Sequence, residues 1–243
     1  MITIIGTGHV FNLSQGILSV LNDRQPDIVC VELDKQRFNA LVLRKNNPEA
    51  YWEARKKTSA IYRLLARFQD SMAKEYGVEA GDEMMTAIDY AQGHQLPVAF
   101  IDLNAQYMFS KMLKSMSFSE KIKLLFSGFS GFFISKKRVE KELKKHDSNF
   151  DEYIEQIGDK FPTVKRVLID ERNEYMVKQL VKADEEYGKI VAVMGDGHIP
   201  GISGLLESKN VDFESVRLKD LRNVSSVDSD SSSASFSLEY KEP

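Results

Sequence analysis

Two of the four histidines in this 243-residue chain follow the same kind of segment. "ITIIGTGHV" places His9 three residues after Gly6, and "VAVMGDGHIPGI" places His198 three residues after Gly195. Each segment is a β-branched apolar run that breaks at glycine, which is typical of a buried strand reaching its end. Because neutral imidazoles are good ligands for divalent metal ions that activate water, the paired histidines indicate metal-assisted chemistry.

Charged side chains follow two further apolar runs. "DIVCVELDKQR" ends with Glu32, Asp34 and Arg37, and "PVAFIDLN" brings Asp102. Ligands of open α/β sheets bind outside the carboxyl ends of the strands, so we expect these groups to converge with the two histidines. Two imidazoles and at least one carboxylate suit Zn²⁺, Mn²⁺, Co²⁺ or Fe²⁺, and an open coordination position lowers the pKa of bound water to ~7.

Each Gly-x-x-His segment also has an ordinary interpretation. Taken singly, either histidine is more typical of a helix cap or of the core than of a metal site. "GTGHVFNL" lacks the lysine and the spacing of a phosphate-binding loop, and it does not match the dinucleotide-binding fingerprint. The metal hypothesis therefore depends on the two segments coming together.

The elements that would position these residues alternate along the chain. Continuous apolar runs predict strands at residues 1–6, 27–33, 97–102, 189–195 and 213–218, and the stretches between them have helical character. This alternation predicts an α/β fold, with a mostly parallel or mixed β-sheet flanked by helices. Residues 104–165 contain no strand candidate and are predicted to be a helical insertion. We expect one domain over residues 1–222 and a disordered Ser/Asp-rich tail over 223–243.

Composition narrows the classes of partner. A net charge of −3 offers no general attraction to nucleic acid. The single cysteine, Cys30, cannot form an intramolecular disulfide, and no apolar segment has the ~20 residues of a membrane-spanning helix. These features predict a soluble, cytoplasmic protein without an integral membrane segment. Aromatic residues at 51, 52, 62 and 68 suit either the core or a homodimer face.

Five motifs occur in order along about residues 1–218: "GTGHV", "VELDKQRF", "GVEAGDEMMTAI", "ERNEYM" and "VAVMGDGHIPGI". In this order and approximate spacing they resemble the TraB/PrgY family. That family includes proteins implicated in shutting off peptide pheromones. It is similar to the Tiki proteins, which are regarded as metal-dependent peptidases, and more remotely to the erythromycin-esterase and ChaN-like fold.

The resemblance implies roles for individual residues. The implied metal ligands are His9, Glu32, Glu83 and His198. Glu32 would act as a base or an outer ligand, while Arg37 and Arg172 would orient carboxylates or stabilise an oxyanion. The chain departs from the family pattern at three positions: Leu103 replaces an arginine, Asn173 replaces the aspartate of "ERD", and Asp196 stands within "GDGH" where relatives have "GAGH".

Three functions are compatible with these residues. The favoured one is a metal-dependent hydrolase, specifically a metallopeptidase, that acts on a peptide or other small substrate with Zn²⁺, Mn²⁺ or Co²⁺. The alternative is a non-catalytic protein that sequesters a peptide or another ligand in the same crevice. A weaker alternative, by analogy with the ChaN-like proteins, is haem binding through His9 or His198.

Overall fold

The computed structural model describes residues 1–8, 13–56, 81–127 and 158–221. These residues form one five-stranded sheet whose order is β3-β2-β4-β1-β5. All of the strand pairs are parallel. The strands are β1 (Ile2–Thr7), β2 (Ile28–Val31), β3 (Val98–Phe100), β4 (Ile190–Gly195) and β5 (Phe213–Val216). The α/β prediction is confirmed, and each predicted strand is present with slightly different ends.

Helices surround the sheet. They are α1 (Ser14–Arg24), α2 (Lys35–Asn46), α3 (Pro48–Lys56), α4 (Asp82–Gly93), α5 (Ala105–Ser115), α6 (Phe118–Ser127), α7 (Pro162–Lys165), α8 (Glu171–Glu186) and α9 (Ile199–Glu207). A π-helical turn (Arg166–Asp170) joins α7 to α8, and a 3-10 turn (Asp196–His198) joins β4 to α9. Among the described helices, none has the length and apolar character that crossing a membrane requires.

The sheet separates two hydrophobic cores. Side chains of α8 and α9 pack on one face, and side chains of α1 and α4 pack on the other. Strands covered on both faces need apolar residues at every position, and five of the six residues of β4 are buried. The uninterrupted apolar runs in the sequence have this physical origin.

Two helices begin at the carboxyl edge of the sheet. The end of α8 leads directly into β4, and α4 leads through a short loop into β3. Because a crossover helix runs back along the sheet between parallel strands, its first turn lies beside the strand ends. The first turns of α4 and α8 carry Glu83 and Arg172, so both residues belong to this edge.

A small third core supports the start of α8. Val167, in the π-helical turn, packs with Met108 and Met112 of α5 and with Met116. The predicted helical insertion contributes this support through its described parts, which contain helices and no strand. Residues 128–157 of the insertion and the predicted disordered tail lie outside the described residues.

Candidate functional site

Glu32 lies immediately beyond β2, between the ends of β2 and β4. Its backbone N–H donates to the carbonyl of Val193 at 3.0 Å, which continues the strand pairing by one residue. Its carboxylate accepts a 2.6 Å hydrogen bond from the backbone N–H of Gly195. Only 9 % of the residue is exposed. A buried carboxylate is costly unless hydrogen bonds and positive charge compensate it, so its other contacts are informative.

Arg172 holds two carboxylates at once. Its Nε and Nη2 donate to the two oxygens of Asp102, each at 2.9 Å, and Nη2 also donates to Oε1 of Glu32. Its Nη1 donates to the carbonyl of Leu168 at 3.2 Å, so the π-helical turn also orients the guanidinium. The planar, multidentate guanidinium suits this task.

His198 completes the cluster from the 3-10 turn after β4. Its Nδ1 lies 2.6 Å from Oδ1 of Asn173, and its Nε2 lies 3.4 Å from Oε1 of Glu32. Since an amide oxygen can only accept, this arrangement assigns the Nδ1 proton to the bond with Asn173. The Nε2 then faces a carboxylate, and the contact is favourable only with a proton or a cation between them.

The cluster contains more buried negative than positive charge. Glu32 and Asp102 contribute two negative charges and Arg172 one positive charge, which leaves one negative charge when His198 is neutral. Burial raises the pKa of Glu32, but His198, Arg172 and the Gly195 N–H together hold it well below its usual range. Burial lowers the pKa of Arg172, but its two carboxylate partners raise the pKa by a larger amount. The net effect is a raised pKa, so the guanidinium stays charged.

A second ion pair stabilises the 3-10 turn that carries His198. Arg217 donates to both oxygens of Asp196, at 2.9 and 2.7 Å, and the N–H of Leu218 adds a bond of 2.9 Å. Gly6 of β1 lies against this pair, because a Cβ there would overlap Oδ1 of Asp196. Asp196 therefore ties the turn to the end of β5.

The remaining predicted site residues are placed differently. Glu83, 2 % exposed, lies in the first turn of α4 at the same sheet edge. Arg37 lies half-buried in the first turn of α2, where its backbone N–H donates to Asp34. His9 lies outside the described residues, but Thr7, two positions earlier, pairs with Gly195 in the sheet register. The ends of β1 and β4 are thus neighbours.

The structure brings Glu32, Arg172 and His198 together. Within the described ranges, no three His, Cys, Asp or Glu side chains form a group that could hold a metal ion. His9 lies outside those ranges. Of the other predicted metal ligands, Glu32 and His198 are in contact, and Glu83 lies at the same edge of the sheet.

A family model described as TraB/PrgY/gumN matches residues 1–210. The chain belongs to this family. A protein of Methanocaldococcus jannaschii, named only as uncharacterized, is 29 % identical over 206 residues. That alignment covers 83 % of this chain and 52 % of the relative, so the chain spans about half the length of the relative.

Two polar residues of this TraB/PrgY/gumN member have roles that the sequence did not predict. The sequence predicts Asp102 at the shared strand ends, because it directly follows β3, but it does not predict that Asp102 pairs with Arg172. Asn173 was noted only as a departure from the family pattern. Its sequence position beside Arg172 indicates a helix residue at the same edge, but not that its side chain faces His198.

Proposed function

We propose that the protein is a metal-dependent hydrolase of peptide or related amide bonds. The observation that carries this proposal is the buried pair of His198 and Glu32, whose Nε2 and Oε1 atoms are 3.4 Å apart at the carboxyl edge of the sheet. Family membership supports the proposal through the resemblance of the motifs to those of metal-dependent peptidases.

The pair suits a divalent cation in distance and in orientation. Two ligands that each lie about 2.0–2.2 Å from a tetrahedral metal ion are about 3.3–3.6 Å apart. Metal-binding histidines commonly donate their other ring N–H to a neighbouring acceptor, as Nδ1 of His198 does to Asn173. The excess negative charge of the Glu32, Asp102 and Arg172 cluster also favours a cation.

The residues of the chain have distinct tasks in this proposal. Arg172 and the backbone N–H of Gly195 favour the ionised form of Glu32, which makes it a metal ligand rather than a proton acceptor. Arg172 positions Glu32 and Asp102, and Asn173 orients His198. A bound Zn²⁺, Mn²⁺ or Co²⁺ would polarise the substrate carbonyl and acidify water. His9 and Glu83 are the proposed additional ligands, since β1 ends beside β4 and α4 begins at this edge.

Metal analysis of the purified full-length protein tests the proposal. We expect a stoichiometric divalent metal in the wild type and at least about a tenfold loss of metal affinity in His198→Ala and His9→Ala. His94→Ala is the matched control, because His94 is exposed, follows the far end of α4 and stacks on Tyr90.

Equal metal content in the wild type and all three variants would contradict the proposal. Hydrolysis of a pool of synthetic peptides, measured with and without a chelator, then separates the hydrolase from a sequestering protein. A sequestering protein would bind the peptides with the same affinity after metal removal, and it would not cleave them.

A further inference from the structure

A cavity of about 490 Å³ opens beside β3, next to the candidate site. Val98 and Phe100 line it from the strand, and Tyr175 lines it from α8. Asp102, whose carboxylate is bound by Arg172, also contributes to the lining. The cavity therefore extends from one edge of the sheet to Asp102, which Arg172 links to Glu32.

The backbone of β3 presents hydrogen-bonding groups to this cavity. Among the described strands, β2 is the neighbour on one side of β3, and the opposite side is the edge of the sheet. Val29 N–H donates to the carbonyl of Pro97, and Ile101 N–H donates to the carbonyl of Val31. In a parallel ladder with this register, Ala99 faces β2, while the N–H and C=O groups of Val98 and Phe100 face away from it.

The carboxylates of the lining already accept hydrogen bonds from other groups of the protein. The carboxylate of Asp34 accepts hydrogen bonds from the backbone N–H groups of Gln36, Arg37 and Ala105. The carboxylate of Asp102 is held by Arg172. Of the charged lining residues, Lys35 alone is cationic, so the cavity has little attraction for a phosphate or another multiply charged anion. Beside the polar side chains of its rim, such as Gln36 and Tyr175, the cavity offers a ligand the main-chain donors and acceptors of β3.

We propose that this cavity is the substrate groove, and that it binds an extended peptide as an added strand along β3. Val98 and Phe100 then exchange backbone hydrogen bonds with alternate residues of the peptide, as in other cases of strand addition. The inference rests on the proposed hydrolase function, because it assigns the substrate path to the same site.

The strand spacing also places the scissile bond. An added strand lies about two strand spacings, or ~10 Å, from β2, and each extended residue spans ~3.3 Å. If the peptide turns over the end of β3 past Asp102, it must cross this ~10 Å to reach Glu32, which takes about three extended residues. The bond near Glu32 is then about three residues beyond the segment that pairs with β3. Cleavage should occur at that distance from the bound segment.

Amide hydrogen exchange of the full chain, measured by NMR, tests this groove. The probe is an equimolar pool of acetylated, amidated random octapeptides, added to His198→Ala, which prevents metal-dependent turnover. We expect exchange at Val98 and Phe100 to slow by at least about threefold. The matched amides of Phe213 and Ser215, which face outward on the opposite edge strand β5, should not change.

Two further measurements keep the proposal falsifiable. A pool with N-methylated backbones should give no protection, and Val98→Pro should remove the protection of Phe100, whereas Ser215→Pro should leave it intact. Unchanged exchange at Val98 and Phe100, or equal slowing on β5, would overturn the groove. Protection that rises with protein concentration without peptide would also overturn it, by assigning the edge to a second copy of the chain.

The result is distinguishable from that of the metal analysis. Protection of β3 in a protein that binds no metal would retain the groove and refute the hydrolase. Metal bound at His198 without protection of β3 would support the metal site of the proposed hydrolase and refute the groove.

Discussion

Two clusters of arginine and carboxylate occur at the carboxyl edge of the sheet and differ in charge balance. In one of them, Arg217 donates to both oxygens of Asp196, so the two charges balance, and the N–H of Leu218 donates a third bond to Asp196. Arg172 instead serves Asp102 and Glu32 together, and Glu32 also faces His198. The Arg217–Asp196 pair supports the turn after β4, whereas the Glu32, Asp102 and Arg172 cluster retains a negative charge that can receive a proton or a cation.

Removing the arginine from each cluster should produce effects of different size. Arg172→Met leaves two buried carboxylates without their cation and should lower the free energy of unfolding by about 3–5 kcal/mol. Arg217→Met removes a side chain that is 31 % exposed and should cost about 1–2 kcal/mol. Urea denaturation measures both changes.

Metal content is a second measurement that should distinguish Arg172→Met from Arg217→Met. Arg217→Met should retain the metal of the wild type, whereas Arg172→Met should bind it more weakly because Glu32 loses its orientation. Equal destabilisation, or equal loss of metal, would mean that the two clusters do not differ as proposed.

The tight packing around the Arg217–Asp196 pair can be tested at Gly6. In Gly6→Ala the new Cβ would overlap Oδ1 of Asp196 and approach Cδ1 of Ile199 to 2.6 Å. We expect a loss of about 1–3 kcal/mol from overpacking, measured by thermal or urea unfolding. Gly93→Ala is the control, since nothing lies within 4 Å of its Cβ position, and it should leave stability unchanged or slightly raised. Full stability in Gly6→Ala would show that Asp196 moves freely.

Glu120 is a buried carboxylate that is held by neutral donors rather than by arginine. Burial raises its pKa, but hydrogen bonds from Ser117 and Thr163 lower it to about 2. A lowered pKa stabilises the fold above the ordinary value of 4.5, and this contribution is lost as the pH falls towards about 2. Glu120→Gln should cost about 1–2 kcal/mol at neutral pH.

The pH dependence of that variant is the sharper measurement. Glu120→Gln should reduce the pH dependence of the unfolding free energy between pH 4.5 and about 2, and Glu32 and Glu214, whose pKa values are also lowered, should contribute to the slope that remains. An unchanged pH profile would contradict the assignment.

Much of the fold could be predicted because buried parallel strands impose a one-dimensional pattern. Segments such as "KIVAVMG" must be apolar at every position when helices cover both faces of the sheet. The same logic places Glu32 and His198 at strand ends, since a strand that reaches the sheet edge there exposes the residues that follow it. The family could likewise be identified from linear motifs, and the matching family model confirms it.

The partners of those residues depended on the tertiary structure. Arg172 contacts Asp102 and Glu32 across 70 and 140 positions of sequence, and Asn173 reaches His198 across 25. Local patterns carry no information on the direction of such side chains, because direction depends on how helices dock on the sheet. The sequence by itself determined which polar residues stand at the strand ends. Only the packing of α8 against that edge decided that one arginine serves two carboxylates and leaves His198 facing Glu32.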